Sequence, residues 1–174
     1  DFRNIANVNR NKFPYLDFNI KIVDSLSLIN VLDSVFIINP SIFEGEVFLD
    51  LLKINDSLNP VEYNNLSKIT YHYFLEKGLR PTFVYSFSSR EELNKYFPNS
   101  RYIDWINYHY NDSMVDFDDF YFQLDKLSQD FVIKEKPVFI TVSNSKTIDW
   151  YSTFEKAVFE DYKEVRGLLT SDNY

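Results

Sequence analysis

The chain contains no cysteine, and its 174 residues include only three glycines, one methionine, two histidines and two tryptophans. The missing cysteine excludes disulfides and thiolate chemistry and leaves the redox compartment open. No Gly-rich phosphate loop, Gly-x-Ser-x-Gly elbow or metal-ligand spacing occurs, so no metal or cofactor is expected. No apolar run reaches the about 18 residues that a membrane span requires. Positive charge is also scarce, with 18 Lys and Arg against 26 Asp and Glu and a net charge of -8. A nucleic-acid partner would call for a basic face, so none is expected. The start at Asp1, without Met or an apolar leader, reads as a processed product, an excised domain or a trimmed chain.

What the chain has in abundance is aromatic side chains. Seventeen Phe and 13 Tyr suit either a thick aromatic core or surfaces that stack on sugars or bases. Most of the Phe fall at regular helix or strand spacing, which favours the core. A chain of this length, 45% hydrophobic, can bury one good core, so a single domain over 1–174 is expected. The polar, Asn- and Arg-rich stretch 1–14 reads as a loosely held lead-in.

The clearest pattern lies in 102–145. Residues 102–108 alternate aromatic or branched residues with polar ones, as a strand does. Phe117, Phe120, Tyr121, Leu124, Leu127 and Phe131 then recur at helical spacing, and 138–142 is almost continuously apolar. Strand, helix and strand in that order imply a parallel, right-handed crossover.

Elsewhere the spacing predicts a strand over 15–23, a helix over 24–32, a buried strand over 34–39 stopped by Pro40, and a short helix over 46–54. A long helix starts at Pro60 behind an Asn59 cap and ends at Gly78. A strand over 80–87 follows, then a helix over 90–96 capped at Ser88–Ser89. The chain closes with a helix over 147–165 and a strand over 167–170. This alternation predicts an α/β fold with βα repeats on a parallel sheet.

Function in parallel α/β folds sits at the carboxyl ends of strands. Those ends carry Asn39-Pro40-Ser41, Ser86 to Ser89, His109-Tyr110-Asn111-Asp112, Ser143-Asn144-Ser145 and Ser171-Asp172-Asn173. Ser88, Ser89 and Ser145 read as caps and turn residues. His109 with Tyr110 exceeds what a cap requires, and the set suits a hydrogen-bonding cleft for a polar ligand such as a sugar. The strand-end carboxylates are Glu44, Asp112 and Asp172, with Glu46 nearby; each reads first as a solvated loop acid. His72 falls in mid-helix and reads as structural. Three Asn-x-Ser triplets, at Asn55, Asn65 and Asn111, are ordinary for so Asn-rich a chain.

Several short motifs follow one another in a familiar order: Asn59-Pro60-Val61-Glu62-Tyr63, Pro81 to Phe87, Tyr96-Phe97-Pro98, Tyr102 to Ile106 and Lys136 to Ile140. The run resembles glycoside hydrolase family 26 and related clan A (β/α)8 barrels over about residues 34–170. The resemblance implies a partial or reduced TIM barrel, because eight βα units take about 250 residues. It also implies an extracellular or cell-surface protein with carbohydrate as partner.

The family's catalytic glutamates do not carry over. The acid/base position falls on Ser41, with Glu44 three residues further on, and the nucleophile position falls on Val142. Tyr110 matches a sugar-contacting Tyr, with Trp150 as a stacking platform. The expectation is a degenerate, non-catalytic carbohydrate-binding barrel, with Tyr110, His109, Asn39, Asn144 and Trp150 as substrate-binding residues. The alternatives are an active hydrolase on a β-glycan using Glu44 and Asp172, and a purely structural subunit. A second chain or a further segment would cover the open sheet edges.

Overall fold

The computed structural model describes residues 15–17, 25–38, 47–51, 58–110, 117–130, 135–143, the even positions 152–160, and 161–171. The described residues form two compact units, one within 9–104 and the other within 105–174.

The first unit is built on three parallel strands: β1 (Tyr15–Asp17), β2 (Phe48–Leu51) and β3 (Thr82–Phe87). Helix α1 (Ser25–Ile38) links β1 to β2, and helix α2 (Pro60–Glu76) links β2 to β3. A short helix α3 (Arg90–Tyr96) and a 3-10 turn, Ser100–Tyr102, complete it.

The start of α2 is fixed by its own sequence. Asn59 Oδ1 accepts from the N–H groups of Val61 and Glu62, both at 3.0 Å, and the Glu62 carboxylate returns to the Asn59 N–H at 3.0 Å. This capping box satisfies donors that a helix start leaves open. Gly78 stops the helix at φ +73, a conformation that costs residues with a Cβ. The buried stripe of α2 includes Tyr63, Leu66 and Phe74. Phe74 meets Phe83 and Tyr63 meets Tyr85, each pair edge-on at 6.1 and 6.0 Å.

Two expectations for this unit fail. Residues 34–38 are not a strand but the second half of α1. A short apolar run fits either state, and here it continues a helical period begun at Leu28 and Leu32, both buried. Ile37, expected inside, is 77% exposed. Residues 48–51, expected as part of a helix over 46–54, form β2 instead. Pairing on both sides, to β1 and β3, overrides four residues of local pattern. The expected strand over 15–23 is described only at 15–17.

The second unit carries β4 (Trp105–Tyr110), β5 (Val138–Ser143) and β6 (Val165–Ser171), again all parallel. Helix α4 (Phe117–Ser128) joins β4 to β5, as the period of 117–131 predicts. Phe120, Leu124 and Leu127 are its buried stripe. The even positions 152–160 and residue 161 are helical and precede β6, and Phe154 among them packs on Phe120 at 5.3 Å. The strand expected over 102–108 begins later, at Trp105, because Ser100–Tyr102 is spent on the 3-10 turn. The α/β class with parallel strands is therefore present in both units.

Candidate functional site

Strand alternation gives each unit two unlike faces. In β4, Ile106, Tyr108 and Tyr110 point to the helices. The Tyr108 hydroxyl donates to Gln123 Oε1 of α4 at 3.0 Å, and Tyr110 packs edge-on to Phe120 at 4.8 Å. Trp105, Asn107 and His109 occupy the opposite face. Their neighbours there, by register with β5, are Phe139 beside Asn107 and Thr141 beside His109.

On this second face the side chains form one hydrogen-bonded line. Thr141 Oγ1 donates to Asn107 Oδ1 at 2.8 Å, and Asn107 Nδ2 lies 3.1 Å from His109 Nε2. Asn107 and Thr141 are 1% and 6% exposed, while His109 is half-buried. Trp105 stacks on Phe139 beside them, with ring centres 4.4 Å apart and planes at 15°.

The first unit repeats the arrangement with different chemistry. Phe83, Tyr85 and Phe87 of β3 share the face that meets α2, while Thr82, Val84 and Ser86 share the other. Asp50 of β2 stands at the register of Val84, and Asp17 of β1 at the register of Asp50. The Ser86 hydroxyl donates to Asp50 Oδ2 at 2.5 Å, and Asp50 is 4% exposed. A buried carboxylate is costly unless hydrogen-bonded, and this short bond offsets part of that cost.

Burial sets the state of the phenols around these faces. It is the main cause that pushes the Tyr63 hydroxyl well above its ordinary range, with Tyr85 and Asp50 adding to it. Tyr85 is raised likewise, by burial first and by Glu92 next. Tyr108 is pushed up to about 12, by burial and then by Asp119. All three stay protonated at neutral pH, and the Tyr85 and Tyr108 hydroxyls donate, to the Glu92 carbonyl and to Gln123 respectively.

The sequence-expected residues fare unevenly. His109 lies on the polar face of β4. Tyr110, expected beside it at a ligand, is 4% exposed and points to α4, because neighbours in a strand face opposite ways. Val142, which the sequence resemblance set at a nucleophile position, shares the register of Tyr110 and is buried on that helix side. Glu44, Asp172, Asn39, Asn144 and Trp150 lie outside the described residues. The strand expected to end before Asn39 and Glu44 is helix α1. Ser89 caps α3 by accepting from the Glu92 N–H at 3.1 Å, and Ser88 donates to the Glu92 carboxylate, so both are structural. His72 is exposed on α2 and touches the rings of Tyr71 and Tyr102.

Sequence reading missed Asp50, Asn107 and Thr141. The signal for Thr141 was a polar residue inside an almost continuously apolar run, whereas Asn107 was one polar position of an alternating run. Among the described residues, no group of three or more His, Asp and Glu could hold a metal ion, and no helix is long and apolar enough to cross a membrane. Comparison with protein-family models, with curated proteins and with solved structures returns no match.

Proposed function

We propose that the protein is a carbohydrate-associated α/β protein of glycosidase-like architecture, a partial or reduced (β/α)8 barrel, which binds a polysaccharide or glycan without cleaving it. The observation that carries this reading is the Thr141–Asn107–His109 line on the face of β4 and β5 turned away from the helices. Amide, imidazole and hydroxyl groups suit the many neutral donors and acceptors of a sugar, and the Trp105–Phe139 stack borders them. Glycoside hydrolysis needs two carboxyls about 5–9 Å apart. Trp105, Asn107, His109, Phe139 and Thr141 supply none. The motif run over 96–140 points the same way, and through it the reading extends to an extracellular or cell-surface protein.

One observation favours a second reading, an active glycoside hydrolase. Asp50 is a buried carboxylate near the carboxyl end of β2, bonded to Ser86. Together with a second carboxyl it would supply an acid pair.

The test is a polysaccharide array probed with the purified chain, with a reducing-end assay on the same polysaccharides. Binding without release of reducing ends is the expected result. Release that disappears in Asp50→Asn would establish the hydrolase instead, and silence in both assays would leave the chain a structural subunit.

A further inference from the structure

We propose that Thr141 and Asn107 are positioning residues that hold neutral His109 in its Nδ1–H tautomer. Any ligand atom bound through Nδ1 must then be a hydrogen-bond acceptor.

The argument runs along the line from its buried end. The Thr141 hydroxyl donates to Asn107 Oδ1 at 2.8 Å, which turns the other end of the amide, Nδ2, toward the imidazole. Nδ2 is 3.1 Å from His109 Nε2. An amide nitrogen carries two donors and no lone pair to offer, so the bond forms only if Nε2 accepts it. A neutral imidazole has one proton, and with Nε2 accepting, that proton is on Nδ1.

The backbone makes the arrangement rigid. Asn107 and His109 are two apart on one strand, hence on one face, and Thr141 is the register partner of His109 on β5. Asn107 and Thr141 are almost wholly buried, so water does not compete for their bonds. The opposite amide orientation would make Thr141 an acceptor and require the proton on Nε2. The two patterns are mutually exclusive, and one spectrum separates them.

The tautomer sets what Nδ1 can pair with, a group of this chain or a ligand. A neutral N–H donor recognises an oxygen acceptor, such as a sugar hydroxyl or ring oxygen. This last step rests on the carbohydrate reading, whereas the tautomer does not.

The experiment is a long-range proton–nitrogen NMR correlation on the full chain carrying His72→Gln, which leaves His109 as its one histidine. At a pH where the ring is neutral, Nδ1 is expected at the protonated shift and Nε2 at the unprotonated one. Asn107→Asp places a group that can only accept against Nε2, so the two shifts should exchange. Thr141→Val removes the hydroxyl that orients the amide, and should turn a single tautomer into a mixture. The His72→Gln spectrum alone decides if either further variant fails to fold. An Nε2–H tautomer there, or unchanged shifts in a folded Asn107→Asp chain, overturns the proposal. The same samples are then put on the polysaccharide array. The expected tautomer without polysaccharide binding supports the positioning role and sinks the carbohydrate reading. Binding with the opposite tautomer does the reverse.

Discussion

The two units solve one packing problem with different chemistry. Each lays helices on one face of parallel strands and fills that face with aromatic rings: Phe74, Phe83, Tyr63 and Tyr85 in the first, Phe120, Phe154 and Tyr110 in the second. Each leaves polar side chains on the other face. In the first unit these are a carboxylate and a hydroxyl, Asp50 and Ser86, joined at 2.5 Å. In the second they are the hydroxyl, amide and imidazole series Thr141, Asn107 and His109. Shared architecture thus does not fix the chemistry of a face. One or two substitutions at alternating strand positions do.

The sharpest blow to either unit should come from its aromatic layer. Phe120→Ala and Phe74→Ala should each cost about 3–5 kcal/mol of unfolding free energy in urea titrations, because both rings are buried. Next comes the contrast between the polar faces. Ser86→Ala should cost about 1–3 kcal/mol, since it deprives the buried Asp50 carboxylate of a donor. Thr141→Val keeps shape and takes the donor from the buried Asn107 amide, so it should cost about 1 kcal/mol, the low end of the same range. Equal losses in the two variants would undo the distinction between a carboxyl face and an amide face. Asn59→Ala, which opens the capping box of α2, should cost about 1 kcal/mol in the same titrations.

Alkaline pH gives the smallest and most general test. Tyr108 and Tyr121 are held up to about 12, both by burial first, then by Asp119 and by the hydrogen bond to Asp161 respectively. A folded value above the unfolded one, about 10, favours the protonated form in the folded chain. The stabilisation is complete below pH 10 and is lost as pH rises through about 12. Ultraviolet titration of the phenols should show a late-titrating group, and melting temperature should fall across that window. Phenols that all titrate near 10 while the chain stays folded would contradict it.

Much of the architecture was legible in the sequence where local signals agreed. Asn59, Pro60 and Gly78 mark both ends of α2, and the period through Phe120, Leu124 and Leu127 marks α4. Legibility failed at 34–38 and 48–51. There a short apolar run is ambiguous between helix and strand, and the deciding contacts are distant in sequence: Asp33 of α1 accepts from Tyr73 of α2, and β2 pairs with strands on both sides. The site was half legible. His109 was singled out as an unusual strand-end residue, but its neighbour Tyr110 was put on the same surface although strand alternation turns it to α4. Asn107 and Thr141 passed unnoticed, because a polar residue inside a strand declares itself only when its partner is seen.

The most direct test of the proposal that the His109 face binds carbohydrate compares His109→Ala with Tyr110→Phe on the polysaccharide array. Loss of binding in His109→Ala with full binding in Tyr110→Phe is the predicted result. Full binding in His109→Ala, or loss confined to Tyr110→Phe, would contradict it.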